Sequence, residues 1–315
     1  MSTAQAKSRT SASTRLSGPR LRASIAALIA VTGLSGCSAV GVLNALEPKG
    51  GTTITHDVAF TSGDRGKLDV YRPAGAAGAA TLVVFIYGGG WDTGAKADYG
   101  FVGNALASRG YVTVIPDYRI YPQVRWPAFL EDNAKAVAWA KAHAAEFGAD
   151  PNKLFLAGHS AGAYDAMMLS LDKRWLAAVG IDPDRDVKGV VGLAGPYDFL
   201  PLKSDELKTI FGPPEGRPAT QPIAYATASA PPIYIATDLG DKVVDPGNTT
   251  RLANKVRNVG GRVEERYYTR LNHALMVGVI AAPLRFLAPV LRDLSAFIDK
   301  TAAEPRAMPR TGGGS

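Results

Sequence analysis

A serine closely flanked by glycines carries the strongest chemical signal in the chain. The stretch Gly158-His159-Ser160-Ala161-Gly162 matches the G-x-S-x-G pattern. The apolar run KLFLA before it predicts a strand, and AGAYDAMMLSL after it predicts a helix. A tight strand-to-helix turn exposes its serine at the helix N-terminus and leaves room only for small neighbours. We therefore predict that Ser160 is a nucleophile; the alternative is a structural glycine–serine turn.

A serine hydroxyl needs a nearby base before it becomes a useful nucleophile, and the chain has four histidines. His56 falls in the first predicted strand and His143 on a long helix among lysine and alanine. His159 adjoins the serine, in a turn whose neighbouring side chains point apart. His273 follows the last predicted strand, at the same end of the sheet as Ser160. The sequence therefore predicts His273 as the base.

The base in turn needs a carboxylate that holds its tautomer and stabilises the imidazolium. The stretch YIATDLGDKVVDPGN offers Asp238, Asp241 and Asp245 just past a predicted strand. All three lie between the serine and His273, in the Ser, Asp, His order expected of α/β-hydrolases. Spacing alone leaves the choice among the three open.

Three consecutive glycines end another predicted strand, in LVVFIYGGGW from Leu82 to Trp91. The apolar run before them is typical of a strand buried on both faces of a parallel sheet. Each glycine costs more backbone entropy on folding than alanine does. Gly88, Gly89 and Gly90 therefore indicate that something approaches the backbone closely at this strand end.

The elements that must position these residues alternate between strand and helix, which predicts an α/β fold. We expect a mostly parallel sheet of about eight strands with helices on both faces. The first two strands, joined by a tight turn, should form an antiparallel edge. The predicted domains are a linker at 37–51, a catalytic domain at 52–302 and a flexible tail at 303–315. The proline-rich segment 196–231 is long enough only for a small cap.

Five stretches together carry a family resemblance, and they occur in this order: YGGGW, DYRIYP, DPNKLFLAGHSAGA, APPIYIATDLGDKVV and NHALM. They resemble the α/β-hydrolase fold, and within it the carboxylesterases of the hormone-sensitive-lipase and feruloyl-esterase-like groups. The likeness covers roughly 52–300. It implies a serine esterase that cleaves short-chain or small aryl carboxylic esters through a Ser-His-Asp acyl-enzyme mechanism, without a cofactor.

The resemblance also assigns individual residues. The family's acid begins a D-x-x-V element, which favours Asp241. Its H-G-G-G loop donates backbone N–H groups to an oxyanion, which implies an oxyanion hole of Gly89, Gly90 and Ala161. The family's histidine is replaced here by Tyr87, whose hydroxyl lies further from the backbone.

Two further residues near the predicted site have roles outside the triad. By the same resemblance, Asp117 in the stretch DYR is structural. Trp91 has two equal readings: it lines a substrate pocket, or it packs under the cap.

The N-terminus has the pattern of a bacterial export signal. A basic region ending at Arg22 precedes an apolar run that is too short to span a bilayer comfortably. The run ends in LSGC, which resembles a lipobox whose cysteine is lipidated. We therefore expect a signal peptide at 1–36, a lipid on Cys37 and a membrane-anchored protein of the cell envelope. The alternative is a soluble secretory signal with an incidental cysteine.

Composition excludes several other classes of protein. Five of the basic residues behind the net charge of +7 precede position 37, so the rest carries only +2 and gives no nucleic-acid signature. One cysteine and four scattered histidines predict no metal site and no intrachain disulfide. Amide chemistry, as in an arylformamidase or a peptidase, and a non-catalytic binding protein on the same fold are the alternatives. The oligomeric state stays open.

Overall fold

A single eight-stranded sheet organises the part of the chain that the computed structural model describes, residues 36–76 and 79–305. In spatial order the strands are β1-β2-β4-β3-β5-β6-β7-β8. Their bounds are β1 Thr52–Ala59, β2 Lys67–Pro73, β3 Ala80–Ile86, β4 Val112–Pro116, β5 Ala149–His159, β6 Val187–Leu193, β7 Ile233–Asp238 and β8 Val263–Tyr268.

Strand direction follows the sequence prediction. β1 pairs with β2 and β2 with β4 in antiparallel fashion, whereas all pairs from β4 through β8 are parallel. The predicted mostly parallel sheet with an antiparallel edge is therefore confirmed. In β3, the residues Val83, Val84, Phe85 and Ile86 are all buried, as expected of a strand covered on both faces.

Helices cover the sheet between the strands. Their bounds are α1 Gly36–Leu46, α2 Gly100–Ala107, α3 Ala128–Ala142, α4 Ala161–Leu171, α5 Arg174–Ala177, α6 Pro183–Asp186, α7 Asp205–Phe211, α8 Gly247–Asn258, α9 His273–Gly278 and α10 Val290–Ala303. Short 3-10 turns lie at Lys96–Tyr99, Ala144–Phe147, Pro214–Thr220, Pro222–Tyr225 and Ala282–Leu284. Because parallel crossovers bring the carboxyl ends of β3, β5, β6 and β7 to one edge, the loops that follow them meet there.

The segment 196–231 contains little regular structure beyond α7. The Ser204 side chain accepts a hydrogen bond from the Leu207 N–H and so caps the start of that helix. Two 3-10 turns that each begin with a proline follow it. Proline resists helix interiors, which explains why this segment stays a small cover over the sheet edge.

One stretch differs from its prediction. Helix α1 occupies most of the segment predicted as a linker at 37–51, and its Leu43 is buried in the common core. Most of the predicted signal peptide and tail, residues 1–35 and 306–315, lies outside the described residues.

Candidate active site

Ser160 lies in the sharp turn between β5 and α4 that the motif predicts. Its φ angle is +55°, a strained conformation for a residue with a side chain, and its N–H donates to the Leu193 carbonyl at 2.9 Å. A Cβ on Gly162 would lie 2.1 Å from the Ile86 carbonyl oxygen, so only glycine lets helix α4 approach the end of β3. The small residues of the motif therefore allow the turn, and the turn presents the serine at the start of a helix.

His273 contacts the serine through its ring. His273 Nε2 lies 2.8 Å from Ser160 Oγ, and His273 is the first residue of α9. The Asn272 side chain caps that helix by accepting from the Leu275 N–H at 2.9 Å. The cap fixes where the helix begins, and the helix start holds the imidazole over the serine.

Asp241 contacts the other ring nitrogen, with 2.8 Å between its Oδ2 and His273 Nδ1. The Asp241 side chain is fully buried, and its Oδ1 accepts from the N–H groups of Val243 and Val244. A carboxylate at Nδ1 requires a proton on that nitrogen and leaves Nε2 free to accept from the serine hydroxyl. The D-x-x-V element thus orients its own carboxylate through backbone donors.

The other two candidate acids have different partners. Asp238 accepts from the N–H groups of Gly240 and Leu271, and so ties the acid loop to the segment that leads into His273. Asp245 accepts from the Gly247 N–H and pairs with Arg251 at the surface. The hydrogen bond from the Gly247 N–H, and after it the contact with Arg251, lowers the pKa of Asp245. Among the three, Asp241 is the one whose carboxylate contacts His273.

The glycine loop after β3 lies against the nucleophile turn. A Cβ on Gly88 would lie 2.9 Å from Ser160 Cβ, so a larger residue there would collide with the turn. The N–H groups of Gly89, Gly90 and Ala161 have no acceptor anywhere in 36–76 and 79–305. Three unused donors therefore lie in the two backbone segments that meet at the serine, and they belong to the three residues predicted for the oxyanion hole.

Tyr87, which stands where the family has a histidine, stabilises the glycine loop through hydrogen bonds of its hydroxyl. Its buried hydroxyl donates to Asp117 Oδ1 at 3.0 Å and accepts from Arg65 at 2.9 Å. Arg65 also donates to the Gly94 carbonyl, and Asp117 accepts from the Lys96 N–H. Burial raises the pKa values of both Tyr87 and Asp117. The tyrosine thus reaches partners at the far end of the loop, and Asp117 has the structural role that the resemblance implied.

Trp91 packs under the cap, which decides between its two predicted roles. Its indole is buried, with its ring 4.9 Å from Phe211 of α7 and 5.1 Å from Tyr164 of α4. The indole N–H donates to Asp165 Oδ1 at 3.1 Å. Asp165 is fully buried, and that burial raises its pKa well above the usual range. Phe199 completes the cluster with its ring 6.3 Å from Trp91. Aromatic rings from the glycine loop, α4 and the cap segment therefore form one cluster.

His159 has a structural role that could not be assigned from the sequence. His159 Nε2 lies 3.0 Å from the His273 backbone carbonyl and therefore carries the proton. The two imidazole rings lie 4.9 Å apart. Burial, and secondarily the nearby His273, lowers the His159 pKa to about 3. A neutral His159 thus holds the backbone of the residue that contacts Ser160.

The remaining histidines lie away from this site. His56 Nδ1 contacts Asp69 at 2.8 Å, and the His143 ring stacks on Trp139. Within the described residues there is no cluster of three or more histidine, cysteine or acidic side chains placed to hold a metal ion. The same residues contain no helix of sufficient length and apolarity to cross a bilayer.

Curated proteins with similar sequences are esterases by name. The chain is 31% identical over 197 residues to Esterase LipC of Mycobacterium tuberculosis, across 57% of this chain and 49% of that protein. It is 25% identical over 240 residues to isoprenylcysteine alpha-carbonyl methylesterase ICME of Arabidopsis thaliana, across 70% and 56% respectively. The chain thus spans about half the length of the curated relatives it matches.

Solved structures show the same architecture. A truncated carbohydrate esterase from gut microbiota matches with a TM-score of 0.69 at 18% identity, over 82% of this chain and all of that one. Esterase 2 of Thermogutta terrifontis matches with a TM-score of 0.65 at 23% identity, over 80% and 96%. At these identities the likeness shows the fold, which is the α/β-hydrolase fold.

A family model covers the part of the chain that holds the nucleophile turn, the glycine loop and the acid. The match extends over residues 68–256, more than half of the chain. It includes Ser160 and Asp241 and ends before His273. The chain therefore belongs to the BD-FAE family.

Proposed function

We propose that this protein is a serine hydrolase that cleaves carboxylic esters through an acyl-enzyme. One observation carries the proposal: an unbroken hydrogen-bond chain runs from Asp241 through His273 to Ser160, with both contacts at 2.8 Å. Such a chain is the geometry that activates a serine hydroxyl.

Acylation begins when Ser160 Oγ attacks the ester carbonyl carbon and its proton passes to His273 Nε2. The carbonyl oxygen becomes an oxyanion, to which the N–H groups of Gly89, Gly90 and Ala161 donate. One such donor contributes about 2.7–4 kcal/mol to transition-state stabilisation. The tetrahedral intermediate collapses, the alcohol leaves with the proton from His273, and the acyl group stays on the serine.

Deacylation repeats these steps with water. His273 takes a proton from the water as its oxygen attacks the acyl carbon, and the same donors hold the second oxyanion. The Ser160–acyl bond then breaks, the serine regains its proton from His273, and the carboxylic acid leaves. Asp241 stays ionised and stabilises the imidazolium throughout.

One feature supports an ester substrate and another supports a short acyl chain. Because the triad alone would serve amides equally well, the support for an ester is that the similar curated proteins are named as esterases. The rings of Trp91, Tyr164 and Phe211, from the glycine loop, the helix after Ser160 and the cap, are buried against one another. We infer a shallow pocket that takes only a few methylene groups of the acyl chain.

The test is kcat/KM on 4-nitrophenyl esters from acetate to palmitate, with detergent controls, beside an aryl formamide. We expect the maximum at short chains and almost no turnover in Ser160→Ala or His273→Ala. Loss of the serine or histidine of such a triad costs on the order of 10⁶ in kcat. A maximum at long chains would indicate a lipase, and a preference for the formamide over every ester would indicate an arylformamidase.

A matched pair of variants tests the acid. Asp241→Asn should lower kcat by about 10⁴, because an amide favours the wrong histidine tautomer. Asp245→Asn should leave kcat near the wild-type value, since Asp245 pairs with Arg251 instead. The opposite ranking would reverse the assignment of the acid.

We also propose that Cys37 is lipidated and that the mature protein is anchored to a membrane of the cell envelope. The support is the sequence: a basic region, an apolar run and LSGC, with Cys37 as the only cysteine in the chain. The Cys37 side chain lies outside what the structure describes. Mass spectrometry of the mature N-terminus should find acyl groups on Cys37, and an unmodified terminus at another residue would refute the proposal.

A further inference from the structure

Four large apolar side chains are exposed on two neighbouring segments, and we call them the N-terminal apolar surface. Val42 and Leu46 lie four residues apart on helix α1, and Phe286 and Leu287 follow the 3-10 turn at Ala282–Leu284. Each is between 41% and 49% exposed. They are four of the seven large hydrophobic residues that are exposed in the described part of the chain. Clustered apolar exposure of this kind marks an interaction surface.

Helix α1 and the 282–287 segment are held together rigidly. Glu47, just after α1, accepts from the Ala282 N–H and pairs with Arg285 at 2.7 Å. On the buried side, Leu43 and Leu284 both pack around Gly278. The apolar surface is therefore a fixed part of the folded domain.

The sequence places this surface next to the proposed lipid anchor. Cys37 is five residues before Val42 in the same helix, which corresponds to about 7.5 Å along the helix axis. Helix α1 is bound to the domain by Asn44, whose amide donates to the Ala97 carbonyl and accepts from the Phe101 N–H. The stretch between the cysteine and the catalytic core is a packed helix, so a lipid on Cys37 would hold this face at the bilayer.

We propose that the N-terminal apolar surface docks on the lipid bilayer, with Val42, Leu46, Phe286 and Leu287 in the interfacial layer. The proposal rests on the lipidation of Cys37 proposed above. Acyl groups on Cys37 attach the chain to the membrane at one point, and apolar side chains that enter the headgroup boundary add a second contact. The helix then fixes the orientation of the catalytic domain on the membrane, in addition to its attachment.

Single engineered cysteines test the contact, because the only natural cysteine would carry the lipid. Phe286→Cys and Leu287→Cys are produced from the full chain, and membranes are treated with a membrane-impermeant maleimide. The matched control is Asn254→Cys, on the exposed face of α8 beside the opposite edge of the sheet. We expect loss of labelling at 286 and 287 in membranes, full labelling at both after detergent solubilisation, and labelling of the control in both states.

The remaining outcomes distinguish docking of the surface from lipidation of Cys37. Equal labelling at 286, 287 and 254 in membranes that retain the protein overturns docking and leaves lipidation intact. If Cys37 proves unmodified, the purified chain is mixed with phosphatidylcholine–phosphatidylglycerol vesicles. Co-sedimentation that Leu287→Ser abolishes then supports the surface without the anchor, and no co-sedimentation overturns it. Protection at 287 that depends on protein concentration in the absence of lipid assigns the surface to a second copy of the chain.

Discussion

His159 illustrates how much of this site depends on a residue with no chemical role of its own. Its Nε2–H donates to the backbone carbonyl of His273, and its Nδ1 lies buried without a hydrogen-bond partner in the described chain. Only the neutral ring fits, since a proton on Nδ1 would place a charge beside the imidazolium that His273 becomes during catalysis. The site therefore depends on a second histidine that stays neutral while His273 takes up and returns a proton during catalysis.

This arrangement predicts an acid sensitivity with a defined origin. Burial lowers the His159 pKa to about 3 in the folded chain, against an ordinary value of 6.5. Between these values the unfolded chain binds one proton more than the folded chain. The free energy of unfolding should therefore fall as pH falls from 6.5 toward 3, by about 1.4 kcal/mol per pH unit from this residue.

Urea unfolding at several pH values measures the effect. In His159→Gln, which retains a side-chain donor, the pH slope should be smaller than in the wild type. His143→Gln is the control, because His143 is half-exposed and lies away from Ser160. A wild-type slope in His159→Gln would assign the acid sensitivity to other groups.

At the scale of elements, the loop from Gly88 to Ala95 is held at both ends by different means. Its first glycine packs on the nucleophile turn. At its far end Arg65 donates to the Gly94 carbonyl and Asp117 accepts from the Lys96 N–H, and both side chains also contact the Tyr87 hydroxyl. The loop therefore depends on a network whose members come from the β1–β2 turn, the end of β3 and the end of β4.

Tyr87→Phe should weaken this loop selectively. Loss of the hydroxyl leaves the half-buried Asp117 and Arg65 each without one partner, at a cost of about 1 kcal/mol in unfolding free energy. Because the loop donors act on the oxyanion, kcat should fall while KM changes little. Tyr111→Phe is the matched control: it loses a comparable bond to Asp299 but lies far from the loop. A kcat equal to that of the control would show that the network is only structural.

The sequence predicted the local parts of this site better than the contacts between them. The nucleophile turn follows from one pentapeptide, because its small residues and flanking periodicity are local signals. The choice of Asp241 over Asp238 and Asp245 needed either the resemblance or the structure, since all three follow the same strand. The role of Arg65 could not be predicted, because this residue lies in a polar turn and only the pairing of strands in the sheet brings it to the Tyr87 hydroxyl.

The aromatic cluster under the cap predicts how a smaller side chain there would change the preferred length of the acyl chain. Phe199 is half-buried, and its ring lies 5.4 Å from Phe211 and 6.3 Å from Trp91. Phe199→Ala should open space on the cap side and shift the kcat/KM maximum on 4-nitrophenyl esters toward longer acyl chains. Each further methylene that the pocket buries adds about 0.8 kcal/mol. The control is Phe147→Ala, a half-buried ring just before β5, at the opposite end of the sheet from Ser160. An unchanged chain-length profile would place the acyl chain elsewhere.

At the scale of the whole molecule, the catalytic domain begins earlier than the sequence predicted. The stretch SAVGVLNALEPKGG follows Cys37 and is predicted as a short linker. Its residues instead find partners that are distant in sequence: Leu43 packs beside Gly278, and Asn44 accepts a hydrogen bond from the Phe101 N–H of α2. Such contacts between remote segments carry no local signal, so the domain boundary could not be predicted from composition.

Helix α1 should therefore contribute to stability as part of the domain. Asn44→Ala removes the acceptor for the Phe101 N–H at the start of α2, and losing a side-chain cap of this kind costs about 0.5–2 kcal/mol. A chain that begins at Thr52 also loses Leu43 from the core and Glu47 from the Ala282 N–H. Its unfolding free energy should fall by at least the ~2–5 kcal/mol that truncating a buried leucine costs.

Urea unfolding of the Asn44→Ala chain, the chain from Thr52 and an Asn254→Ala control measures these differences. Asn254 is exposed on α8, so its replacement should be near neutral. The Thr52 chain should also lose activity, because α1 packs on the Lys96–Tyr99 turn that follows the glycine loop. Wild-type stability and kcat in that chain would mean that α1 is an appendage and that the predicted boundary at residue 52 was right. If the chain from Thr52 fails to fold, the milder Asn44→Ala variant still decides the question. In a helix that served only as a linker, this substitution would leave the free energy of unfolding unchanged.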